Sequence, residues 1–193
     1  TMPGNRAVAY GKDIDYSLIE VTNVSENSLA KIGDKIIIAK ELVEDVMKEI
    51  AVLSYNSSNT LKGSDFAGTV LAHPLNNNGY EHEVLLLEAD FVTTDQGTGF
   101  VHIAPGHGAD DFELGRQNNL PIPETVTDNG ILNSDLPLLG GLRVLKDNEI
   151  IADIMSEHNA LIGRGKLNHS YPHSWRSKAP LVFRTTPQWF ISM

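Results

Sequence analysis

The chain has 193 residues, of which 41% are hydrophobic and 21% charged, and this is the composition of an ordinary globular protein with a sizeable core. Its net charge of −10 excludes strong free-standing binding to nucleic acid, which needs clustered Lys and Arg. The absence of cysteine excludes disulfides and thiolate metal sites, and no apolar run approaches the roughly 20 residues that cross a bilayer. We therefore expect a single cytoplasmic domain over residues 1–193, with no membrane association.

The first half of the chain alternates short apolar segments with turns and contains one amphipathic stretch. We predict strands in five apolar segments, at 7–10, 16–22, 35–39, 66–72 and 83–89. Between the third and fourth of these, residues 40–51 have apolar side chains at helical spacing and predict a helix packed on a sheet. The polar segment 56–63 predicts a loop.

The second half of the chain has fewer strands and more turns. A short strand is predicted at 100–103, followed by a helix from Ala109, and residues 120–135 predict a surface excursion with little regular structure. Asp147 is expected to be the N-cap of a second amphipathic helix that runs to about His158. Its inward residues are expected to be Ile150, Ile151, Ile154 and Met155. The last forty residues contain spaced prolines, which favour extended segments at a sheet edge.

The number of short strands decides the predicted fold class. Many short strands with two or three helices favour a mainly β architecture, most simply a closed or nearly closed barrel with peripheral α-helices. An open parallel α/β sheet is less favoured, because strands and helices do not alternate regularly.

The stretch 97–115, GTGFVHIAPGHGADDFELG, places more reactive groups between glycines than any other part of the chain. His102 lies near the end of the predicted strand, His107 lies in the glycine-rich loop, and two aspartates begin the helix. Carboxylates at a helix start accept hydrogen bonds from free backbone amides, and a cap is the role expected for Asp110. Asp111 lies one residue further into the first turn. We expect it to point back across the loop toward His102, which makes it the better functional candidate.

Three chemistries fit this stretch to different degrees. A metal site would draw on its ionisable residues, His102, His107, Asp110 and Asp111, but no HExxH-type spacing is present. A nucleophilic serine would need a G-x-S-x-G turn, which the chain lacks. Water-mediated ester hydrolysis needs one carboxylate for a substrate ammonium, one side chain that limits substrate size, and hydroxyls or amides near the ester. The sequence favours this third chemistry, and no metal is expected.

The segment GTGFVHIAPGHGADDF resembles the editing domain inserted into the class I aminoacyl-tRNA synthetases for isoleucine, valine and leucine. PGNRAVA near the start and YPHSWRSKAPLVFRTTPQWFISM at the end are similar to the isoleucine member of this family. These segments span essentially the whole chain. The resemblance implies a β-barrel-like fold decorated by helices. It also implies hydrolytic proofreading of tRNA for isoleucine that carries valine, with valyl-adenylate left open as a second substrate.

The resemblance also implies roles for individual residues. Asp111 matches the aspartate that anchors the substrate amino group, and His102 matches the histidine that orients the terminal ribose and helps to exclude isoleucine. Asn5 is expected near the adenosine and Tyr171 at the nucleotide side of the pocket, whereas His107 is expected to pack the loop. The predicted catalytic residues are thus Asp111 and His102, and the predicted substrate-binding residues are Thr1, Asn5, Thr98, Gly99, Asp111 and Tyr171.

Members of the family enter this domain through a threonine-rich strip, TTTPWT, of which only the last threonine is matched, by Thr1. We therefore expect a weakly active piece of a larger synthetase, in which residues 186–193 begin the return to the catalytic domain. The expected partners are the aminoacylated tRNA 3′ end and the rest of the synthetase. No cofactor is expected for this domain, since ATP and Mg²⁺ belong to the catalytic domain. Two alternatives stay open: a non-catalytic module that binds the aminoacyl-tRNA 3′ end, and the editing domain of the valine or leucine enzyme.

Overall fold

The computed structural model describes residues 1–165, 172–186, 188–189 and 191. It contains seven named strands, which are β1 (Ala7–Tyr10), β2 (Asp15–Val24), β3 (Lys35–Ala39), β4 (Val52–Lys62), β5 (Val70–Ala72), β6 (Glu83–Glu88) and β7 (Phe100–Ile103). Three α-helices accompany them, namely α1 (Val43–Glu49), α2 (Ala109–Gln117) and α3 (Asn148–Glu157). Short 3-10 turns span Met2–Gly4, Lys40–Leu42 and Gly63–Phe66.

The strands form two separate sheets. The first has the order β5-β6-β1-β7, with β1 parallel to β6 and antiparallel to β7. The second is antiparallel, with the order β3-β2-β4. The predicted mainly β fold with two or three peripheral helices is therefore confirmed. A closed barrel is not seen, because no strand pairing in the described part of the chain joins the two sheets.

An aromatic cluster fills the core between the two sheets. Tyr16 of β2 is fully buried, and its ring centroid lies 5.1 Å from that of Phe66 and 4.7 Å from that of Phe100 in β7. Tyr10 meets Phe66 edge-on at 5.8 Å. Such pairs contribute about 0.5–1.5 kcal/mol each beyond the area that they bury. The cluster therefore ties β1 and β7 of the first sheet to β2 of the second.

The start of β7 is fixed by backbone contacts at the junction of the sheets. Gly99 has a φ of +79°, and a Cβ there would collide with the Cβ of Ala39 at the end of β3. The hydroxyl of Tyr16 donates a hydrogen bond to the Gly99 carbonyl at 2.7 Å, and the Ala39 amide donates to the carbonyl of Thr98 at 2.9 Å. Only glycine combines this backbone conformation with this close approach. The junction thus sets the position from which β7 runs toward His102.

The prediction of a loop at 56–63 is wrong, because most of this segment belongs to β4, which pairs with β2 along its length. Nearly all side chains of β4 are exposed or half-buried, so its polar composition reflects an edge strand rather than the absence of a strand. The strand predicted at 66–72 is shorter than expected: a 3-10 turn ends at Phe66, Gly68 has a φ of +77°, and only Val70–Ala72 pairs.

Two details of the second half also differ from expectation. Ile150 of α3 is 48% exposed, and the helix packs instead through buried Met155 and half-buried Ile151 and Ile154. The carboxylate of Asp147 does not cap this helix; it binds the backbone amide and the guanidinium of Arg143.

The excursion at 120–135 has only isolated bridges, as expected, but it is not purely superficial. Leu132 and Leu139 are buried against Leu75, Tyr80 and Met155 in a small core of their own. No helix in the described ranges is long and apolar enough to cross a membrane.

Candidate functional site

The site forms where the first residues of the chain meet the end of β7. Because β1 and β7 are antiparallel, with Ala7 opposite Ile103, Asn5 comes to lie beside His102. The side chain of Asn5 is 2% exposed. Its Nδ2 donates hydrogen bonds to the carbonyl of Ala7 and to Nδ1 of His102, both at 2.9 Å, with the carbonyl of Ile103 at 3.3 Å.

These contacts fix the tautomer of His102. Two backbone carbonyls face Nδ2 of Asn5, so this atom is the amide nitrogen and can only donate. Nδ1 of His102 is therefore an acceptor, and the neutral ring carries its proton on Nε2. Nε2 is buried and no described residue meets it with normal hydrogen-bond geometry, although the backbone of Thr1 lies near the ring. A buried polar group without a partner costs about 1–3 kcal/mol, so this nitrogen is a candidate donor to a ligand or to water.

The surroundings keep this imidazole neutral. Burial lowers the pKa of His102 to about 4, and protonation of His73 or His107 would act in the same direction. The backbone of Thr1, which lies near the ring as a weak hydrogen-bond acceptor, opposes this pKa shift. The ring therefore offers a neutral N–H donor throughout the physiological pH range.

Asp111 reaches the same loop from the first turn of α2. Its Oδ2 accepts a hydrogen bond from the backbone amide of Ala104 at 2.8 Å, so the carboxylate spans the loop between β7 and α2. It points back as predicted, but its partner is the Ala104 amide rather than the His102 ring. A Cβ at Gly108 would lie 3.0 Å from Oδ1, so the glycine leaves room for the carboxylate. Asp110 is exposed and does not cap the helix, whose N-cap position is Gly108.

His107 has the packing role that the sequence predicts. Its Nδ1 donates to the carbonyl of Phe183 at 3.1 Å, because a carbonyl can only accept. Its Nε2 then accepts from the hydroxyl of Thr125 at 2.7 Å. Its ring also packs on Gly4, where a Cβ would lie 3.1 Å from Cδ2. His107 thus joins the loop to three other segments and has no free nitrogen for a ligand.

The other residues predicted for the site occupy three different places. Thr98 and Gly99 lie at the opposite end of β7, where their carbonyls serve the junction of the sheets. Thr1 lies near His102, since its backbone affects the pKa of that ring, and it also lines an apolar cavity of about 300 Å³ whose lining does not include Asn5, His102 or Asp111. Tyr171 lies outside the described residues, as do Pro187, Phe190, Ser192 and Met193 of the predicted return segment 186–193.

Sequence reasoning missed a layer of side chains behind Asn5. His73 is 2% exposed, and its Nε2 lies 3.0 Å from the carbonyl of Met2. Nε2 of His82 lies 2.9 Å from the carbonyl of Asn5 and 2.9 Å from the guanidinium of Arg6. The only signal in the sequence is a His-Pro pair directly after an apolar segment. Nothing local shows that this pair meets a turn 71 residues away.

The structure does not support the hypothesis that this loop holds a metal site. Within the ranges that the structure describes, no group of three or more His, Asp or Glu side chains is arranged to hold a metal ion. Asn5 occupies one nitrogen of His102, Phe183 and Thr125 occupy both nitrogens of His107, and Asp110 faces solvent.

Comparisons with known proteins bear on the family and the fold of the chain. Residues 19–137 match the family model described as the leucyl-tRNA synthetase editing domain. The chain is 45% identical to the isoleucine–tRNA ligases of Gluconobacter oxydans and Pelagibacter ubique, with 100% of this chain and 21% of each relative covered. It therefore spans about a fifth of the length of these curated relatives. The crystal structure of GlLeuRS-CP1 shares the fold, with a TM-score of 0.62 at 13% identity over 86% of this chain and 80% of that one.

Proposed function

Because the chain belongs to the leucyl-tRNA synthetase editing-domain family, we propose that it removes wrongly attached amino acids from tRNA by hydrolysing their ester bond. The substrate that we propose is valyl-tRNA for isoleucine, with valyl-adenylate as a second substrate to be tested. Similarity to two isoleucine–tRNA ligases supports this choice. We further propose that residues 1–193 act as one domain of a longer cytoplasmic synthetase, which supplies most contacts to the tRNA. The net charge of −10 fits this division, since an acidic domain attracts phosphates poorly.

One observation carries the proposal: a buried N–H donor in β7 and a half-buried carboxylate in the first turn of α2 flank the same loop. The donor is Nε2 of His102, and the carboxylate is that of Asp111. A substrate that fits this pair has a hydrogen-bond acceptor and a positive charge a short distance apart. An aminoacyl ester has both, in its ribose and ester oxygens and its α-ammonium group.

Asp111 binds the substrate ammonium in this mechanism. Its Oδ2 is held by the amide of Ala104, so the carboxylate is oriented before the substrate arrives. An ammonium taken out of water needs such a partner, and loss of one member of a desolvated charge pair costs several kcal/mol. This orientation brings the ester to the loop in one defined pose.

His102 acts as a donor and as a limit on substrate size, not as a general base. Its Nδ1 lone pair is occupied by Asn5, and its Nε2 carries the ring proton. Neither nitrogen can accept a proton from water unless the hydrogen bond between Asn5 and His102 first breaks. Hydrolysis then adds water to the ester carbonyl and releases valine and the tRNA hydroxyl, while the neutral ring holds a substrate oxygen.

A second, hydrolytic site is needed because a single binding site discriminates poorly between isoleucine and valine. One methylene in an apolar pocket is worth only about 1–3 kcal/mol, and the discrimination of isoleucine from valine is the standard example of this limit. A synthetic site alone therefore admits valine at a measurable rate. A hydrolytic site that accepts valine and excludes isoleucine removes these errors.

Deacylation of valyl-tRNA for isoleucine by the complete synthetase tests this proposal. We expect Asp111→Ala to lower the rate by at least about 100-fold, equivalent to about 2.7 kcal/mol, with aminoacylation unchanged. Asp110→Ala is the matched control, since it removes the neighbouring exposed carboxylate of the same helix turn. Rates for Asp111→Ala within tenfold of wild type would refute the role of this carboxylate.

Two further outcomes would redirect the proposal. Binding of a non-hydrolysable valyl-adenosine analogue without any wild-type deacylation would favour the non-catalytic binding module. Faster hydrolysis of threonyl-tRNA for valine, or of norvalyl-tRNA for leucine, would favour the sibling enzymes.

A further inference from the structure

The turn that carries Asn5 is held by a histidine from another part of the chain. Within the 3-10 turn Met2–Gly4, the carbonyl of Met2 accepts a hydrogen bond from the backbone amide of Asn5 at 3.1 Å. Nε2 of His73 lies 3.0 Å from the same carbonyl. One carbonyl therefore links His73 to Asn5, whose side chain in turn contacts His102.

The ring of His73 is fixed on several sides. The amide of Leu75 donates to its Nδ1 at 3.0 Å, and since an amide can only donate, the proton of His73 is on Nε2 and points at Met2. The ring stacks on Tyr80 with centroids 4.7 Å apart and an interplanar angle of 16°. The hydroxyl of Tyr80 donates to the carbonyl of Pro137 at 2.8 Å. Its position is thus set before any ligand binds.

We propose that His73 is a positioning residue for the editing reaction: it holds the Met2 carbonyl, and through it Asn5, so that His102 keeps its proton on Nε2. This inference rests on the proposed function of the site. It assigns His73 no contact with substrate. The turn Met2–Gly4 and Asn5 join the ring of His73 to the ring of His102. The orientation of His73 therefore determines which nitrogen of His102 carries the donor proton.

His82 provides a natural comparison, because it contacts the residue that directly follows the same turn. Its Nε2 lies 2.9 Å from the carbonyl of Asn5, but Nη1 of Arg6 donates to that carbonyl as well. Loss of the His82 ring therefore leaves the Asn5 carbonyl with a donor. Loss of His73 leaves the Met2 carbonyl with only the amide of Asn5, inside the same turn. The structure thus predicts that replacing His73 lowers kcat for deacylation more than replacing His82 does.

Two substitutions separate the hydrogen bond from the bulk of the ring. His73→Gln keeps a donor near the place of Nε2, whereas His73→Asn keeps an acceptor near the place of Nδ1 for Leu75 and loses the donor to Met2. In the complete synthetase, we expect His73→Asn to lower kcat for valyl-tRNA deacylation by about tenfold or more, with a smaller change in KM. His73→Gln should stay within about threefold of wild type, and so should His82→Asn.

A double-mutant cycle shows whether His73 acts through Asn5. In an Asn5→Ala background, His73→Asn should have no further effect on kcat, because the link is already broken. Additive effects would overturn the inference, and so would equal losses of kcat in the Asn and Gln variants. If His73→Asn does not fold, His73→Gln decides alone, since a tenfold loss of kcat in this folded variant contradicts the account. Absent deacylation by the wild-type enzyme would instead refute the proposed function.

Discussion

The two ends of β7 differ in how completely their polar groups are used. At the start of the strand, the carbonyls of Thr98 and Gly99 both accept hydrogen bonds, and Phe100 packs against Tyr16. At the other end, His102 keeps a buried nitrogen without a partner in the described structure. Only three positions along one strand separate a fully satisfied junction from an unsatisfied donor.

This difference shows how one strand can serve both the fold and a site. The junction specifies where β7 lies, because it accepts neither a larger residue nor another backbone conformation at Gly99. The far end then holds His102 at a fixed place, where a missing hydrogen bond costs stability but leaves a donor for a ligand. Changes at the first end should therefore act on stability, and changes at the second on catalysis and selectivity.

The largest effect is expected at the junction. Gly99→Ala adds a Cβ that collides with Ala39 and imposes a left-handed conformation on alanine, so the free energy of unfolding should fall by about 3 kcal/mol or more. Gly97→Ala is the matched control: its φ is +77°, but no atom lies within 4 Å of the added Cβ, so it should cost only about 1 kcal/mol. Denaturant unfolding measures both. Equal losses in the two variants would show that the contact with Ala39 does not hold the junction.

At the other end, His102→Ala should change selectivity. If the ring limits the size of the substrate side chain, its removal lets the site attack correctly charged isoleucyl-tRNA. We expect the ratio of valyl to isoleucyl deacylation rates to fall by at least about tenfold, near 1.4 kcal/mol. Parallel deacylation assays on the two substrates measure this ratio. An unchanged ratio would remove His102 from the control of substrate size.

Acid should destabilise the site end of the strand. The folded pKa of His102 is about 4 and its ordinary value is 6.5, so the unfolded chain binds more protons between these limits. The contribution of His102 to stability is complete above pH 6.5 and is lost as the pH falls through about 4. Burial lowers the pKa values of His73, His82 and His107 too, with the same sign. Unfolding free energies followed across this range should fall less steeply for His102→Ala; equal slopes would contradict the assignment.

The smallest effect is expected beside Asp111. Gly108 has a φ of −156°, which any residue adopts, but an added Cβ would lie 3.0 Å from Oδ1 of Asp111. Gly108→Ala should therefore shift the carboxylate and raise KM for deacylation by a few-fold, below about 1 kcal/mol. Gly106→Ala in the same loop meets no atom closer than 3.4 Å and serves as the control. Identical KM values for the two variants would show that Asp111 does not contact substrate there.

Local patterns predicted the parts of the fold that depend on neighbouring residues. β3 and β7 have the predicted bounds, because short apolar runs between turn residues mark a strand. The direction of Asp111 also followed from its place in the first helical turn. β4 was missed because its strand character comes from pairing with β2 across the sheet, which its polar side chains do not record.

The candidate site was predicted only in part, because some of its contacts join residues that are distant in the sequence. His102 and Asp111 lie nine positions apart and flank one loop, so the sequence alone places them in the same region. Asn5 reaches His102 only through the pairing of β1 with β7, and its selection depended on a family resemblance. His73 meets Met2 across 71 positions of the chain, and no spacing or composition predicts such a contact.

The most direct test is a crystal structure of the protein with a non-hydrolysable valyl-adenosine analogue. Our account predicts that the α-ammonium group contacts the carboxylate of Asp111 and that an oxygen of the ligand accepts a hydrogen bond from Nε2 of His102. The ring should keep its contact with Asn5 at Nδ1. An analogue bound instead in the apolar cavity beside Thr1, Met2 and Leu132, with Nε2 of His102 still without a partner, would contradict the central claim.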